Sequence, residues 1–462
     1  MCCCYLQVTL VCVYCEEMVK KVECSLRFIV LLYLCFPFFS TSEELRDVLI
    51  DAYSFYPDVE KGKTELQISE KDLSISKRDF LPSIDFSATQ GRKISKSNPD
   101  SSRINDSAFN PSTFDVDLSQ PLGYTKAINL KKARNDLSIS KLSLYSTVQD
   151  VLFKATKAYY TVLKDYFLLD VSKRNEENLI KKLEAAEKRF EFKDITKTDV
   201  FQAKARLAQA TSKRIGAENN LEISISDFKS VVGREPNVNW LSSDSEQIVE
   251  SNPKDWSKFG ELPNLPMSLE ESLKTGLEKN PDYRILNLQL QNSKLDIKKN
   301  TLNFAPEFSI SGSMGRSLDS SRTVERTDSY SVTASVSVPI FNKGHNVLNL
   351  EKSKDSALTV IKSLDTKKLN LTFQIKSSWK KIESSKSSIE SLGISVESNL
   401  MALDGVTKEA SVGTRTTLEI LDTQKDLADA ESNLVNAQYQ LIISSFELLK
   451  LCGVLNFDYL GM

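Results

Sequence analysis

Hydrophobic and polar positions change period along the chain in an order that occurs twice. Over 82–91, Ile84, Phe86 and Ala88 alternate with Asp85, Ser87 and Thr89; over 112–121, Phe114, Val116 and Leu118 alternate with Asp115, Asp117 and Ser119. Later, over 306–316, Phe308, Ile310 and Met314 alternate with Ser309, Ser311 and Ser313. Over 329–340, Tyr330, Val332, Ala334, Val336 and Val338 alternate with Ser331, Thr333, Ser335 and Ser337. A period of two with one apolar and one polar face predicts four strands of roughly ten residues. The segments between the members of each pair, 92–111 and 317–328, are rich in Ser, Asp, Asn and Arg and are expected as loops in water.

After each strand pair the period lengthens to that of a helix. Residues 343–411 contain no proline, and a helix of that length reaches roughly 100 Å. Ile420, Leu427, Leu434, Leu441, Leu448 and Leu455 recur at every seventh position, accompanied by Thr423, Ala430, Ala437, Ser444 and Leu451. Val200, Leu207, Leu221 and Phe228, with Ala203, Ala210, Ala217, Ser224 and Val231, repeat the series, and Arg214 is its one break. Leu137, Leu144, Val151 and Ala158 carry the same spacing into an earlier helix. Large residues at one seam position and small ones at the other predict close coiled-coil packing, in which these stripes build walls and do no chemistry.

The two halves also superpose residue by residue. Pro57 falls on Pro281, Pro82 on Pro306, Gly91 on Gly315, Pro121 on Pro339, Thr196 on Thr416 and Gly233 on Gly453. The chain therefore reads as an internal duplication. Its expected domains are an upstream extension and signal peptide over 1–42, a first repeat over 43–233, a Pro- and Trp-bearing linker over 234–268, a second repeat over 269–455 and a tail over 456–462.

Strands of this kind suit either an ordinary half-exposed sheet or a membrane-spanning barrel with apolar side chains toward lipid and small polar ones toward a wet lumen. The density of Ser and Thr on the second face favours the barrel. Four strands cannot close around a channel, and an open edge in lipid strands backbone donors and acceptors, so the barrel reading requires several chains.

Charge adds an exclusion. Sixty basic residues stand against 62 acidic ones, which leaves no broad basic surface for nucleic acid. Seven of the eight cysteines lie in the first 35 residues, so the body has no disulfide framework, and Cys12-Val-Tyr-Cys15 alone is a weak metal or redox motif. Met18 opens a second signal: Lys20, Lys21 and Arg27 precede the apolar run 28–39 and the small residues Ser40-Thr41-Ser42, the pattern of a secretory signal peptide. Met18 is then the expected true start and the mature chain begins near Glu43. His345 is the only histidine, so neither a Ser/His/Asp set nor a His-based metal site can be assembled. With no P-loop and no GxGxxG after a strand, no enzyme, cofactor or metal is expected.

The duplicated order of helix, strand pair and long helices, with RFEFKDITKTDVFQAKARLAQA (189–210), EASVGTRTTLEILDTQKDLADAESNLVNAQ (409–438), NPDY (280–283) and SVPIFNKG (337–344), resembles the TolC-type outer-membrane efflux proteins over 43–455. The resemblance implies an α+β membrane protein. A homotrimer would set four strands per chain into a twelve-stranded β-barrel in outer-membrane lipid, continued by a coiled-coil helical tunnel across the periplasm of a Gram-negative bacterium. It implies a passive duct of a tripartite efflux or type I secretion system, with a periplasmic adaptor protein and an inner-membrane RND or ABC transporter as partners. The competing expectation is a structural periplasmic coiled-coil protein without channel activity.

Within VGTRTTLEILD (412–422), the resemblance places the tip turn at Val412, Gly413 and Thr414, and that of the first repeat at Lys193 and Asp194, where an adaptor makes contact. Gly413 can take positive φ and reverse the chain, and Thr414 or Thr416 can cap the returning helix. Lys193 stands where the family tends to have glycine; a lysine there is strained, which leaves the turn to Asp194 or to a different tip. Glu419 and Asp422, three apart, share a face. The resemblance implies that they ring the pore mouth and that Arg415 pairs across subunits with Thr198 and Asp199 to latch it. Ala410 stands where some members carry a latch tyrosine.

Overall fold

The computed structural model describes residues 45–97, 105–237, 262–321, 324–457 and 459. The expected signal peptide, the N-terminal cysteines and CxxC motif, and most of the 234–268 linker lie outside the described residues. Residues 45–236 and the described residues from 262 onward belong to one compact unit.

Prolines set the first helix boundaries. Helix α1 (Leu45–Phe55) buries Val48, Leu49 and Ala52 and stops at the extended Tyr56, after which Pro57 opens α2 (Pro57–Arg78). Four strands follow: β1 (Ser83–Gln90), β2 (Lys93–Ser97), β3 (Asn105–Phe109) and β4 (Ser112–Pro121). Helices α3 (Thr125–Glu191) and α4 (Lys197–Val232) then form a long hairpin. The order recurs with α5 (Leu269–Lys279), α6 (Pro281–Leu302), β5 (Glu307–Ser321), β6 (Val324–Ser337), α7 (His345–Ser411) and α8 (Thr417–Leu451). Here Asn280 caps α6 by accepting from the Tyr283 N–H at 3.0 Å, and Pro281 begins it.

α3 and α7 are each 67 residues long, roughly 100 Å at 1.5 Å per residue, and their stability comes from seams. All six of Ile420, Leu427, Leu434, Leu441, Leu448 and Leu455 are buried. Most of them meet Leu371, Ile375, Ile382, Ile389 and Val396 of α7, and the seven-residue repeat from Ile375 to Val396 makes the complementary set of knobs. Small residues let the backbones approach: the buried Ser378 Oγ donates to the Ser444 carbonyl at 3.0 Å. In the first hairpin the seam is Leu179 and Ala186 against Ala203 and Ala210. The break at Arg214 is occupied by an ion pair, with Nε 2.6 Å from Glu176 Oε2 on α3.

β1, β4, β5 and β6 form an antiparallel sheet in that order, so β1 and β6 are its edges within the chain. The register sets Ile84, Leu118, Gly312 and Val332 in one row and Phe86, Val116, Met314 and Tyr330 in the next, all on one face. The other face carries Asp85, Asp117, Ser313 and Ser331, with hydroxyl ladders such as Ser309–Ser335 at 2.6 Å and Ser313–Ser331 at 2.7 Å. Among the described residues no helix covers the apolar face: Phe86 is 70% and Val332 86% exposed.

Two expectations need correction. The segment 92–111 is not simply loop, because β2 and β3 pair as a separate two-stranded ladder. β5 and β6 likewise run through 317–328 to Ser321 and Val324, with a register irregularity between Leu318 and Ser321, while β6 ends at Ser337 rather than at 340. Backbone hydrogen bonds sustain these polar strands, and a segment with few apolar residues gives little periodic signal.

Candidate functional site: the helical hairpin tips

Both hairpins reverse by the same backbone device. At the first tip Lys193 has φ 61°; its N–H donates to Phe190 O at 2.9 Å, and the Asp194 N–H donates to Arg189 O at 2.9 Å. At the second, Gly413 has φ 80°, with Gly413 N–H to Ala410 O at 3.2 Å and Thr414 N–H to Glu409 O at 3.1 Å. A left-handed residue with this bond pair satisfies the orphan carbonyls of a helix end. The left-handed position at the first tip therefore belongs to the lysine itself and not to Asp194. Side chains hold it there: Arg189 Nε lies 2.7 Å from Asp194 Oδ2, and Thr196 and Asp199 form a complete capping box opening α4.

At the second tip Thr416 is the cap, accepting from the Glu419 N–H at 3.3 Å, while Thr414 Oγ1 donates to Glu409 O at 2.8 Å. Arg415 spans the turn, with Nε 2.8 Å from Glu409 Oε2 and Nη1 2.7 Å from Glu419 Oε2. The hydrogen bond from Arg415, then that from Thr416, holds the Glu419 carboxyl below its ordinary range. Glu409 and Glu419 in turn raise the Arg415 guanidinium.

The residues singled out in the sequence are thus gathered into three groups within one chain. Arg415 and Glu419 are together, Asp199 is engaged by Thr196, and Asp422 accepts from Arg206 Nη2 of α4 at 2.5 Å. Thr198 is exposed on the first turn of α4, and Ala410 is buried. Phe192 and Val412 stand 84% and 74% exposed beside the left-handed residues, so each tip ends in an apolar knob. Sequence reading passed over Arg206 and Leu421. Their partners lie in another hairpin; the seven-residue spacing that Arg206 shares with Lys213, matched by Asp422 and Asp429, signals Arg206, and nothing in the local pattern signals Leu421. Among the described residues, no cluster of three or more His, Cys, Asp or Glu could hold a metal ion, and no helix is long and apolar enough to cross a membrane.

The family model for outer membrane efflux proteins matches residues 51–234 and again 273–454. The outer membrane efflux protein BepC of Brucella suis biovar 1 (strain 1330) is 23% identical over 428 residues, covering 91% of this chain and 88% of BepC. The outer membrane protein TolC of Escherichia coli (strain K12) is 23% identical over 392 residues, covering 83% and 76%. The fold is similar to the crystal structure of CusC, with TM-score 0.77 at 14% identity over 89% of this chain and 92% of that one. It is also similar to the Campylobacter jejuni CmeC outer membrane channel, with TM-score 0.75 at 16% identity over 89% and 85%. With most of its length matched in two successive segments, the chain belongs to the outer membrane efflux protein family, the TolC-type channels.

Proposed function

We propose that this chain is the outer-membrane duct of a tripartite efflux or type I secretion system. In it, two repeats, 43–233 and 269–455, arose by internal duplication and are joined by the linker at 234–268. The observation that carries the reading is the two-faced sheet with edges at β1 and β6. Its apolar band runs from the Phe308–Val336 row to the Phe114–Ala88 row, roughly 25 Å along the strands, the height of a barrel's lipid-facing belt. In that last row β5 and β6 carry charges instead, with Arg316 Nε 2.8 Å from Asp328 Oδ1 on the same face, which marks the return to water. Three chains supply twelve strands, and pairing β1 of one with β6 of the next satisfies every edge.

In that assembly the hairpins extend as a tunnel and their tips meet a periplasmic adaptor linked to an inner-membrane RND or ABC transporter. Lys193, Asp194, Val412, Gly413 and Thr414 form the adaptor-facing turns, with Phe192 and Val412 as knobs. Glu419 and Asp422 line the pore mouth, and Arg415 exchanges its exposed partners Glu409 and Glu419 for Thr198 and Asp199 of a neighbouring chain to latch the closed state. The duct supplies neither energy nor catalysis.

Single-channel recording of the protein in a planar bilayer tests this reading, comparing wild type with Arg415→Ala and with Glu419→Ala/Asp422→Ala. Small cation-selective steps, larger in the first variant and less selective in the second, are expected. Folded protein that forms no channel in repeated insertions leaves the structural coiled-coil reading in its place.

A further inference from the structure

Near the tips the two hairpins are joined by one apolar knob and a short ladder of charges. Leu421 of α8 is 1% exposed and belongs to the cluster of Leu179, Ala186, Ala203 and Ala210, so it inserts into the seam of the other hairpin. The next residue, Asp422, accepts from Arg206 Nη2 at 2.5 Å; seven residues on, Asp429 accepts from Lys213 Nζ at 3.0 Å. Both pairs cross from α4 to α8, one heptad apart, and both are partly solvent-exposed.

The joint is incompletely packed. A half-open cleft of about 50 Å³ lies between Leu179, Ala210 and Leu421 on one side and Arg206, Lys213 and Lys425 on the other, and Oδ1 of Asn175 beside it is buried with no hydrogen-bond partner. The joint has one apolar knob where the seam between α7 and α8 has a continuous leucine series, and an unpaired buried acceptor costs free energy, so this contact is the weaker of the two. The hairpins therefore part here at lower cost than the second hairpin opens along its own seam.

We infer that Arg206 masks the charge of Asp422, so that parting the hairpins unmasks one aspartate per chain and makes the open mouth more cation-selective than the closed one. The inference rests on the duct reading. While α4 and α8 are joined, the guanidinium neutralises Asp422, and Arg415 does the same for Glu419 from within its own hairpin. When the hairpins separate, Arg206 leaves with α4. Arg415 stays beside Glu419, and Lys425, 3.8 Å from Asp429 on α8, remains with that acid. Of the two acids at the mouth, Asp422 alone loses its counter-charge, while nine residues farther along α8 Glu431 parts from Arg174 of α3. A ring of such carboxylates favours cations, and aperture and selectivity become one variable.

Planar-bilayer recording of the full-length assembled protein in asymmetric potassium chloride reads this out as reversal potential against conductance. Arg206→Gln is expected to raise the K⁺/Cl⁻ permeability ratio severalfold, and Arg206→Gln/Asp422→Asn to return it to the wild-type value. Leu421→Ala, which loosens the joint without removing a charge, should raise conductance and cation preference together. The charge swap Arg206→Asp/Asp422→Arg, with its fold checked by thermal melting, should invert the coupling, so that wider channels favour anions. Wild-type channels whose selectivity is unchanged by Arg206→Gln, or a Leu421→Ala channel that widens without becoming more selective, overturn the inference and leave the duct standing. Absence of any wild-type channel overturns both.

Discussion

Arg214 Nε lies 2.6 Å from Glu176 Oε2 across the seam of α3 and α4, at the one heptad position of α4 where a charge replaces an apolar residue. Both side chains are mostly shielded, and Arg214 Nη1 also reaches Glu218 at 2.7 Å on its own helix. Such a pair is costly to break and replaceable as a unit, because removing Glu176 takes from a partly buried guanidinium its partner across the seam and leaves it only the more exposed Glu218. Glu176→Ala should therefore lower the unfolding free energy by about 2 kcal/mol. Glu176→Leu/Arg214→Leu, which completes the apolar series, should match or exceed wild type. Chemical denaturation in detergent followed by circular dichroism checks the order of the three.

Lys193 and Gly413 hold equivalent left-handed positions at the two tips, with φ 61° and 80°. Only glycine does so without a Cβ penalty, so Lys193→Gly should raise stability by about 1 kcal/mol and Gly413→Ala should lower it by a similar amount. A β-branched Lys193→Val should be worse than the lysine it replaces. Thermal melts of the three variants decide it, and a destabilised Lys193→Gly would mean that the chain entropy of glycine outweighs the relief of strain.

How much of this was legible beforehand depended on the range of the signal. The seams were legible because Leu427, Leu434 and Leu441 repeat at seven, and the two-faced strands because Phe86 and Asp85 alternate at two. Polar β2 and β3 were missed since their ladder rests on backbone bonds that leave little mark on side-chain pattern. At the tip, local geometry followed from residue type: Gly413 turns and Thr416 caps. The partner of Asp422 did not, because Arg206 comes from another hairpin and no local rule brings the two together.

Asp282 ties three helices together. It lies in the first turn of α6 and accepts from Ser146 Oγ of α3 at 2.9 Å and from Lys367 Nζ of α7 at 2.8 Å. Burial, the largest influence, pushes its carboxyl up, but the hydrogen bond and charge of Lys367, with Ser146, more than offset that and leave it below its ordinary value. A carboxyl depressed in the folded state binds fewer protons there than in the unfolded chain. Its stabilisation is present above the unfolded pKa, near 4, and is lost as pH falls through the lower folded value. Asp282→Asn should cost about 1 kcal/mol at neutral pH, a figure reduced for the partial exposure of the site. It should also flatten the acid limb of a stability–pH curve below about pH 4. An acid limb as steep as wild type would remove Asp282 from this role.

Cys452 closes α8 where that helix meets α5 and α7, and its thiol is wholly buried, donating weakly to Ser272 O at 3.5 Å. Burial, with a smaller contribution from the negative charge of Glu271, pushes the thiol up to about 12. The thiolate is the reactive form, so at neutral pH this cysteine is doubly protected, by access and by protonation. In protein lacking residues 1–42 it is the only thiol. Alkylation of the folded protein should then proceed only through opening of the α5–α7–α8 junction, and its rate should rise with denaturant in step with exposure of that junction. Cys452→Ser, which retains a donor for Ser272 but adds a more polar group to an apolar site, should accelerate proteolysis at the junction while leaving the hairpin tips unchanged. Labelling of native protein at the rate of a free thiol would show instead that the end of α8 is open in solution, and the seam beginning at Leu448 would have to be redrawn from there.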